Sequence, residues 1–512
     1  MPISEPKFSQ TNAERFACRV FVGWVFVLLA FDLLTLRWFP VPWYDEVLFA
    51  DPAASLLLKG HWTSTIWFGR GDFTYWGGNM PAYSALLIPW LWVWGVSEAA
   101  VRSLNCTLFA ITLICTWFSV KRLNLIPTLK IRLATLCVLS LCYPVSYCVR
   151  CGRPDVLGML IFSMAAFFWA SPQRFAACLG LFICTIFIPF VGLQYAFYMP
   201  VLLGVLLWAG GKPALGRLYA IISGGIVGTL LLLAYYQFCS GWDGLLANMS
   251  DVHGRLPPGL WDRFQVLMKD QILFYYFGRP HFVLLIAMVI VLGFAWKSMS
   301  RISQRTLLLA AIMLLVPGVV LGLFSHFMAP YHWLAAVPAM ILLASAASHS
   351  WQTISLKIKA ACAILALGLA GSGRLVFVMM GLGVDDANYT AQLEKAAIAN
   401  VHPGENVFID PQVYYALKPR AGRMYVAQII PRLTEQEKEA VSVAFLHGKG
   451  LVYGPEWFTD KFGGHWVHVV DLPNPSSRVN GSPLLSKLLG WFHAGAYIGE
   501  PLAVYRREPV TQ

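Results

Sequence analysis

Two carboxylates, Asp45 and Glu46, follow the first apolar segment of the chain by fewer than a dozen residues. An acidic side chain so close to hydrocarbon loses hydration and is disfavoured unless it is paired or used. A second polar group, Arg150, Arg153 and Asp155, lies between two apolar segments further on. A carboxylate can take the proton of an attacking hydroxyl. Arginines can hold a phosphate by charge-assisted hydrogen bonds, and a carboxylate beside them can position a sugar or a metal. Each group also has an ordinary alternative: the aspartates can cap helix starts, and the arginines can snorkel to lipid headgroups. Arg70, Arg279 and the Tyr331-His332 pair are further candidates to hold an anion, with headgroup anchoring and the aromatic belt as their alternatives. Arg374 sits deep in a late apolar segment, where a cation is seldom idle unless it reaches outward. Cys148 and Cys151 form a C-x-x-C with no further Cys or His at metal-site spacing.

The elements that position these residues follow from composition. With 58% hydrophobic and 12% charged residues, and a mean hydropathy of +0.61, the chain is a polytopic membrane protein rather than a soluble one. A net charge of +12 would suggest nucleic acid in a soluble protein, but here Lys and Arg collect in short loops between apolar segments. That is the positive-inside pattern, and it excludes a nucleic-acid reading. Most of the eleven cysteines lie within apolar segments, as small hydrophobes.

The apolar segments run over 16–36, 82–96, 103–119, 132–149, 156–170, 174–188, 190–209, 217–238, 281–297, 306–324, 332–348 and 360–380. Lys7, Arg15 and Arg19 place the N-terminus inside, and Lys121, Arg122, Lys130 and Arg132 mark a later inside loop. Segments 82–96 and 103–119 therefore supply one net crossing between them. The first is short, contains Pro89 and carries Trp90, Trp92 and Trp94, so it is read as an interfacial or re-entrant helix. About eleven crossings result, with the C-terminus outside. Loop 37–81, the turn at 150–155, the long mixed-charge loop 239–280 and the turn at 325–331 then share the outer face. Asp45 and Glu46 begin an amphipathic helix lying along the bilayer surface.

From about residue 384 the composition becomes that of a soluble domain, so residues 1–383 form a transmembrane domain and 384–512 an α/β domain. Helices are expected at 388–400 and 434–447, and strands at 406–409, 450–453, 466–470 and 497–506.

Several short motifs, taken in order, resemble one family. Asp45-Glu46 is followed by Ala54, Leu57, Leu58 and Gly60, then by Pro81-x-Tyr83, then by the run from Trp94 to Arg102, then by Arg150-x-x-Arg153-x-Asp155. Over residues 16–375 the chain resembles the GT-C glycosyltransferases, above all the protein O-mannosyltransferase and lipid A aminoarabinose transferase group. It departs from the family at Val47, Leu48 and Phe49 after the acidic pair, and at Met80-Pro81 where a Pro-Pro is usual.

The resemblance implies hexosyl or pentosyl transfer from a polyprenyl-phosphate carrier to a hydroxyl of a lipid, glycan or protein, on the outer side of a bacterial inner membrane. It also implies that Asp45 is the catalytic base, with Glu46 in support and Asp155 as the acidic residue of the second turn. Arg70, Arg150, Arg153, Arg279, Tyr331 and His332 would hold the donor phosphate. A divalent metal is left open, with Asp45 and Asp155 as its candidate ligands. The rival reading is a polytopic transporter or flippase of a lipid-linked sugar. Against it, the polar residues gather at one membrane surface rather than at midplane, and the chain shows no matching halves.

Overall fold

Long apolar runs can satisfy their backbone in lipid only as helices, and helices dominate the fold. The computed structural model describes residues 12–37, 40–67, 75–78, 80–210, 215–239, 259–266, 268, 278–324, 329–377, 379, 386–447, 454–473 and 501–508. In chain order the helices of the membrane region are α1 (Asn12–Leu34), α2 (Tyr44–Lys59), α3 (Pro81–Trp94), α4 (Glu98–Arg122), α5 (Leu129–Leu141), α6 (Tyr143–Arg150) and α7 (Asp155–Trp169). They continue as α8 (Arg174–Val191), α9 (Leu193–Gly210), α10 (Leu215–Cys239), α11 (Leu260–Val266), α12 (Pro280–Gly293), α13 (Arg301–Phe324), α14 (His332–His349) and α15 (Leu356–Gly371).

Among the described residues, seven helices are long and apolar enough to cross a bilayer: α1, α4, α8, α10, Arg301–Leu321 of α13, α14, and Leu356–Phe377, which begins with α15. α5 and α6 pass the same test as a pair bent by 50°, and shorter apolar helices lie at Asp155–Trp169, Tyr198–Trp208 and Pro280–Gly293.

The bend between α5 and α6 has a local cause. Pro144 has no N–H to give to the carbonyl of Ser140, four residues earlier, so the helix breaks there. The orphaned Ser140 carbonyl accepts from Arg374 instead. Gly373 lets that segment approach, since a Cβ on it would fall 2.2 Å from the Leu141 carbonyl oxygen. Arg374 does not reach outward. It is buried and holds Asp32 of α1 in a two-pronged pair at 3.0 and 2.6 Å.

The polarity of α1 and α4 settles how the chain passes between them. Lys121 at the end of α4 pairs with Glu14 at the start of α1 at 3.3 Å. At the other end, Arg102 near the start of α4 donates to the carbonyl of Leu36, just beyond α1, at 2.9 Å. The two helices are antiparallel, so α2 and α3 make no net crossing. α3 has 14 residues, about 21 Å of helix, short of a bilayer core of about 30 Å.

α2 departs from expectation. From Glu46 to Ser55 every residue is buried, so this helix does not lie open on a membrane surface. Its polar side is covered by the C-terminal region.

That region contains α16 (Asp386–Ala399), α17 (Tyr414–Leu417), α18 (Glu435–Ala440), α19 (Pro455–Phe462), and strands β1 (Asn406–Phe408), β2 (Met424–Tyr425), β3 (Val441–His447), β4 (Trp466–Asp471) and β5 (Leu502–Arg507). The strand order is β2-β1-β3-β5-β4. β1 pairs in parallel with β2 and β3, and β5 pairs antiparallel with β3 and β4. The helix expected over 434–447 is corrected: a capping box between Thr434 and Glu437 starts α18, which ends at Ala440. Val441 to Leu446 then form the central strand, because the β-branched and aromatic residues there are buried between β1 and β5. The strand expected at 450–453 and the domain boundary at 383/384 lie outside the described residues.

Candidate functional site

The site is assembled at the end of the bundle where α1 finishes and α4 starts. Three segments meet there: the N-terminus of α2, the turn between α6 and α7, and the short 3-10 turn Ala329–Tyr331 before α14.

The turn from Cys151 to Pro154 is held from two sides. Asn105 of α4 donates to the carbonyls of Cys148 at 3.3 Å and Arg153 at 3.0 Å. Trp43, at the start of α2, donates its indole N–H to the Cys151 carbonyl at 3.3 Å. Gly152 takes φ +57°, and a Cβ there would sit 2.6 Å from the Glu46 Cγ. Only glycine fits both the left-handed backbone and the close approach.

Arg153 stands at the centre. Its Nε donates to Asp155 at 2.7 Å, and its Nη1 pairs with Asp45. The guanidinium lies over Trp43, 5.4 Å from the ring centroid, and over Phe49 at 5.9 Å. Burial pulls against its charge, but Asp155, by its charge and its hydrogen bond, together with Tyr331 and Tyr195 holds the guanidinium above its ordinary pKa. Asp155, fully buried at the first turn of α7, also accepts from the Tyr195 hydroxyl at 2.7 Å. Asp45 differs from both: its side chain is 33% exposed. Tyr331 completes the group, its phenol in hydrogen-bond contact with Arg153 and pushed up to about 12 by burial. Neither aspartate acts as a simple helix cap; each is bound to Arg153.

The other expected residues lie elsewhere. Glu46 is fully buried and faces away from Asp45, receiving Arg102 Nη2 at 2.8 Å and the Tyr415 hydroxyl at 3.3 Å. Burial pushes its carboxyl up, against the pull of Arg102. Arg102 also pairs with Glu98, so Glu46 belongs to a buried ionic network joining α2, α4 and the C-terminal region.

Arg150 is turned toward the end of α1, donating to the Thr35 hydroxyl at 2.9 Å and approaching Asp32 at 3.6 Å. It is buried, not snorkelling. Arg279 precedes α12, and His281 of that helix meets His332, the first residue of α14, at 3.2 Å between ring nitrogens. Arg70 lies outside the described residues, as does most of loop 239–280.

Asp45 and Asp155 share a guanidinium between them. Among the described residues no group of three or more His, Cys, Asp or Glu converges on a point where a metal could be held. Cys148 and Cys151 are both buried, and Cys148 donates to the Pro330 carbonyl at 3.4 Å.

Sequence reasoning missed the ties that hold α2 down. Asp51, fully buried, accepts from Ser64 at 2.7 Å and from Tyr414 at 2.7 Å, and pairs with Lys418. Lys418 also donates to Ser55 at 2.9 Å, and Lys59 donates to the carbonyls of Ala421 and Gly422. Asp51 and Ser55, one turn apart, face the C-terminal region together, a polar stripe visible in the sequence once α2 is seen to be covered.

No protein-family model and no curated protein sequence matches this chain. Its fold does match solved structures. ArnT from Cupriavidus metallidurans bound to undecaprenyl phosphate superposes with a TM-score of 0.56 at 14% identity, over 84% of this chain and 93% of that one. The apo state of the same protein gives 0.53 at 14% identity, over 85% and 93%. The arabinofuranosyltransferase AftD from Mycobacteria gives 0.49 at 14% identity, over 96% of this chain and 40% of its own. The chain therefore shares the fold of the two ArnT structures.

Proposed function

We propose that this protein transfers a sugar from a polyprenyl-phosphate carrier to an acceptor hydroxyl on the outer face of a bacterial inner membrane, with Asp45 as general base. The carrier class draws on ArnT, a neighbour in fold that binds undecaprenyl phosphate. The outer face draws on charge: Lys121 and Arg122 lie at the opposite end of α4 from the site.

One observation carries the reading. In a cluster whose other charged members are buried, the Asp45 carboxylate alone is a third open, and Arg153, itself locked by Asp155, fixes where it points. A base must reach the proton it takes, and a positioned carboxylate contributes about 10²- to 10⁴-fold to such a step.

The reaction then runs as one displacement. The acceptor oxygen attacks the anomeric carbon as its proton passes to Asp45, and the bond from that carbon to the phosphate oxygen breaks. The carrier leaves as its phosphate, needing cations and donors rather than an acid. Arg153 is already offset by two carboxylates, so the phosphate belongs nearer Arg279, Tyr331 and His332. There the starts of α12 and α14 adjoin and present two positive helix ends.

The test is a deletion strain complemented with Asp45→Asn, its glycolipids and glycoproteins measured by mass spectrometry. Product should fall by about 10²- to 10⁴-fold at equal membrane content. Product within tenfold of wild type would sink the base assignment, and substrate moved across the membrane with no new glycosidic bond would favour a transporter or flippase.

A further inference from the structure

A cavity of about 640 Å³ lies between the far end of α2, the loop after it and the C-terminal region. Its size is that of an ordinary small-molecule site. Two smaller cavities, of about 190 Å³ at the α5–α12–α14–α15 contacts and about 120 Å³ within α4, α7, α9 and α14, are lined almost wholly by apolar groups. This one is walled mostly by hydroxyls, amides and cations, and its chemistry is specific in three respects.

First, the hydroxyls are pre-set. Ser64 spends its proton on Asp51 and Thr65 on the Met424 carbonyl, both at 2.7 Å, so each offers lone pairs as an acceptor. Ser55 receives Lys418 and keeps its own proton to donate. Such a wall suits a ligand bearing several hydroxyls of its own.

Second, the indole N–H of Trp76 is buried with no acceptor among the described residues, and Trp76 lines the cavity. The indole folds over Gly78, where a Cβ would fall 2.4 Å from its Nε1. Trp67 packs edge-on to Trp76 at 5.3 Å, so two indoles form one side of the wall. A buried donor without an acceptor is costly and expects a ligand oxygen.

Third, the charges do not balance. Lys418 is answered by Asp51 and Arg423 by Glu437 at 3.2 Å, whereas among the described residues Lys59 donates only to backbone carbonyls. Burial, and then the nearby charge of Lys418, pull the Lys59 ammonium below its usual pKa, with Asp51 pulling the other way.

We propose that this cavity binds an anionic saccharide, a sugar carrying a phosphate or carboxylate, as a part of the acceptor remote from the hydroxyl that reacts. The acceptor role rests on the glycosyl-transfer reading above; the binding does not. Lys59 is 14 positions beyond Asp45, about 21 Å along α2. The cavity is therefore separate from the Asp45 site, and one helix connects the two.

Glucose 1-phosphate titrated into the purified protein in detergent, read by tryptophan fluorescence, tests this directly. It should bind about tenfold or more tightly than either glucose or inorganic phosphate. Lys59→Met should weaken it about tenfold, with Lys59→Arg restoring most of the affinity. Exposed Gln436, on the cavity rim, offers a second variant that spares the fold, and Gln436→Ala should weaken binding several-fold.

Asp45→Asn should bind the probe like wild type even if it transfers nothing, so failure here and failure of the transfer reading are separable. A phosphorylated alkyl glucoside held in the micelle separates the sources: tighter binding than the free sugar phosphate assigns a lipid headgroup, and equal binding a soluble glycan. Absence of saturable binding, or binding unchanged in both Lys59→Met and Gln436→Ala, would overturn the proposal.

Discussion

Replacing Lys418 with Met puts the docking of the C-terminal region onto α2 under direct test. Both side chains of the Lys418–Asp51 pair are buried, at 3% and 0% exposure. Methionine keeps the aliphatic volume but leaves the Asp51 carboxylate buried without its cation. Breaking a buried pair from one side costs about 3–5 kcal/mol. Asp51 keeps Ser64 and Tyr414 as donors, which places the loss at the lower end, about 3 kcal/mol. For a region of about 125 residues the unfolding entropy is roughly 0.26 kcal/mol/K, so its melting should fall by about 11 °C. Asp51→Asn should cost a similar amount by stranding Lys418.

The double variant, Asp51→Asn with Lys418→Met, removes both charges and keeps an amide for Ser64 and Tyr414. It should recover about 2 kcal/mol of the summed losses. Thermal unfolding of the four proteins in one detergent, followed by near-ultraviolet circular dichroism, closes the cycle. Single losses below about 1 kcal/mol, or additive ones, would show that this pair does not hold the domain to the helix.

Three other outcomes follow from the same geometry. Gly152→Ala should destabilise the protein by about 2–4 kcal/mol, from a left-handed backbone and a Cβ driven into Glu46, measured by melting temperature against a Gly404→Ala control that shares the backbone strain but meets open space. Arg153→Lys should lower the turnover number by about 10²-fold with only a small change in melting temperature, because one ammonium cannot hold Asp155 and Asp45 in the fixed fork of a guanidinium. Tyr331, raised from 10.0 to about 12 in the folded protein, contributes stability that is complete below pH 10 and is lost as pH climbs toward 12. Tyr331→Phe should therefore flatten the alkaline decline in melting temperature, and an unchanged decline would contradict the burial of that phenol.

Much of the fold was legible because local pattern decides it. Apolar segment length, the clustering of Lys and Arg in short loops, and the Trp-rich, proline-containing run at 82–96 are statements about neighbours in sequence, and they located the apolar helices and singled out α3. Against about eleven crossings expected, seven of the described helices, or eight with the bent α5–α6 pair, are long and apolar enough to cross. The capping residues that begin α18 were equally local, yet the strand that follows it was misread. Val441 to Leu446 have no helical stop before them, and only pairing with β1 and β5, from 35 residues before and some 60 after, makes the segment extended. α2 was located correctly but assigned to a membrane surface, because nothing within it tells that Tyr414, Tyr415 and Lys418 arrive from the far end of the chain.

The candidate site divides the same way. Residue types and their placement at one end of the bundle singled out Asp45, Arg153 and Asp155, since carboxylates and arginines beside hydrocarbon are tolerated only with a partner or a task. Which arginine meets which carboxylate was decided by packing alone. Arg150 and Arg153, three residues apart, diverge because the turn at Gly152 sends one toward Thr35 and Asp32 and the other between Asp45 and Asp155. Asp45 and Glu46 diverge because adjacent positions on a helix point about 100° apart, so one opens toward solvent and the other closes on Arg102. The sequence alone determined which charges must be satisfied, and the tertiary structure decided by whom, because ion pairing acts across a few ångströms of space and not along the chain.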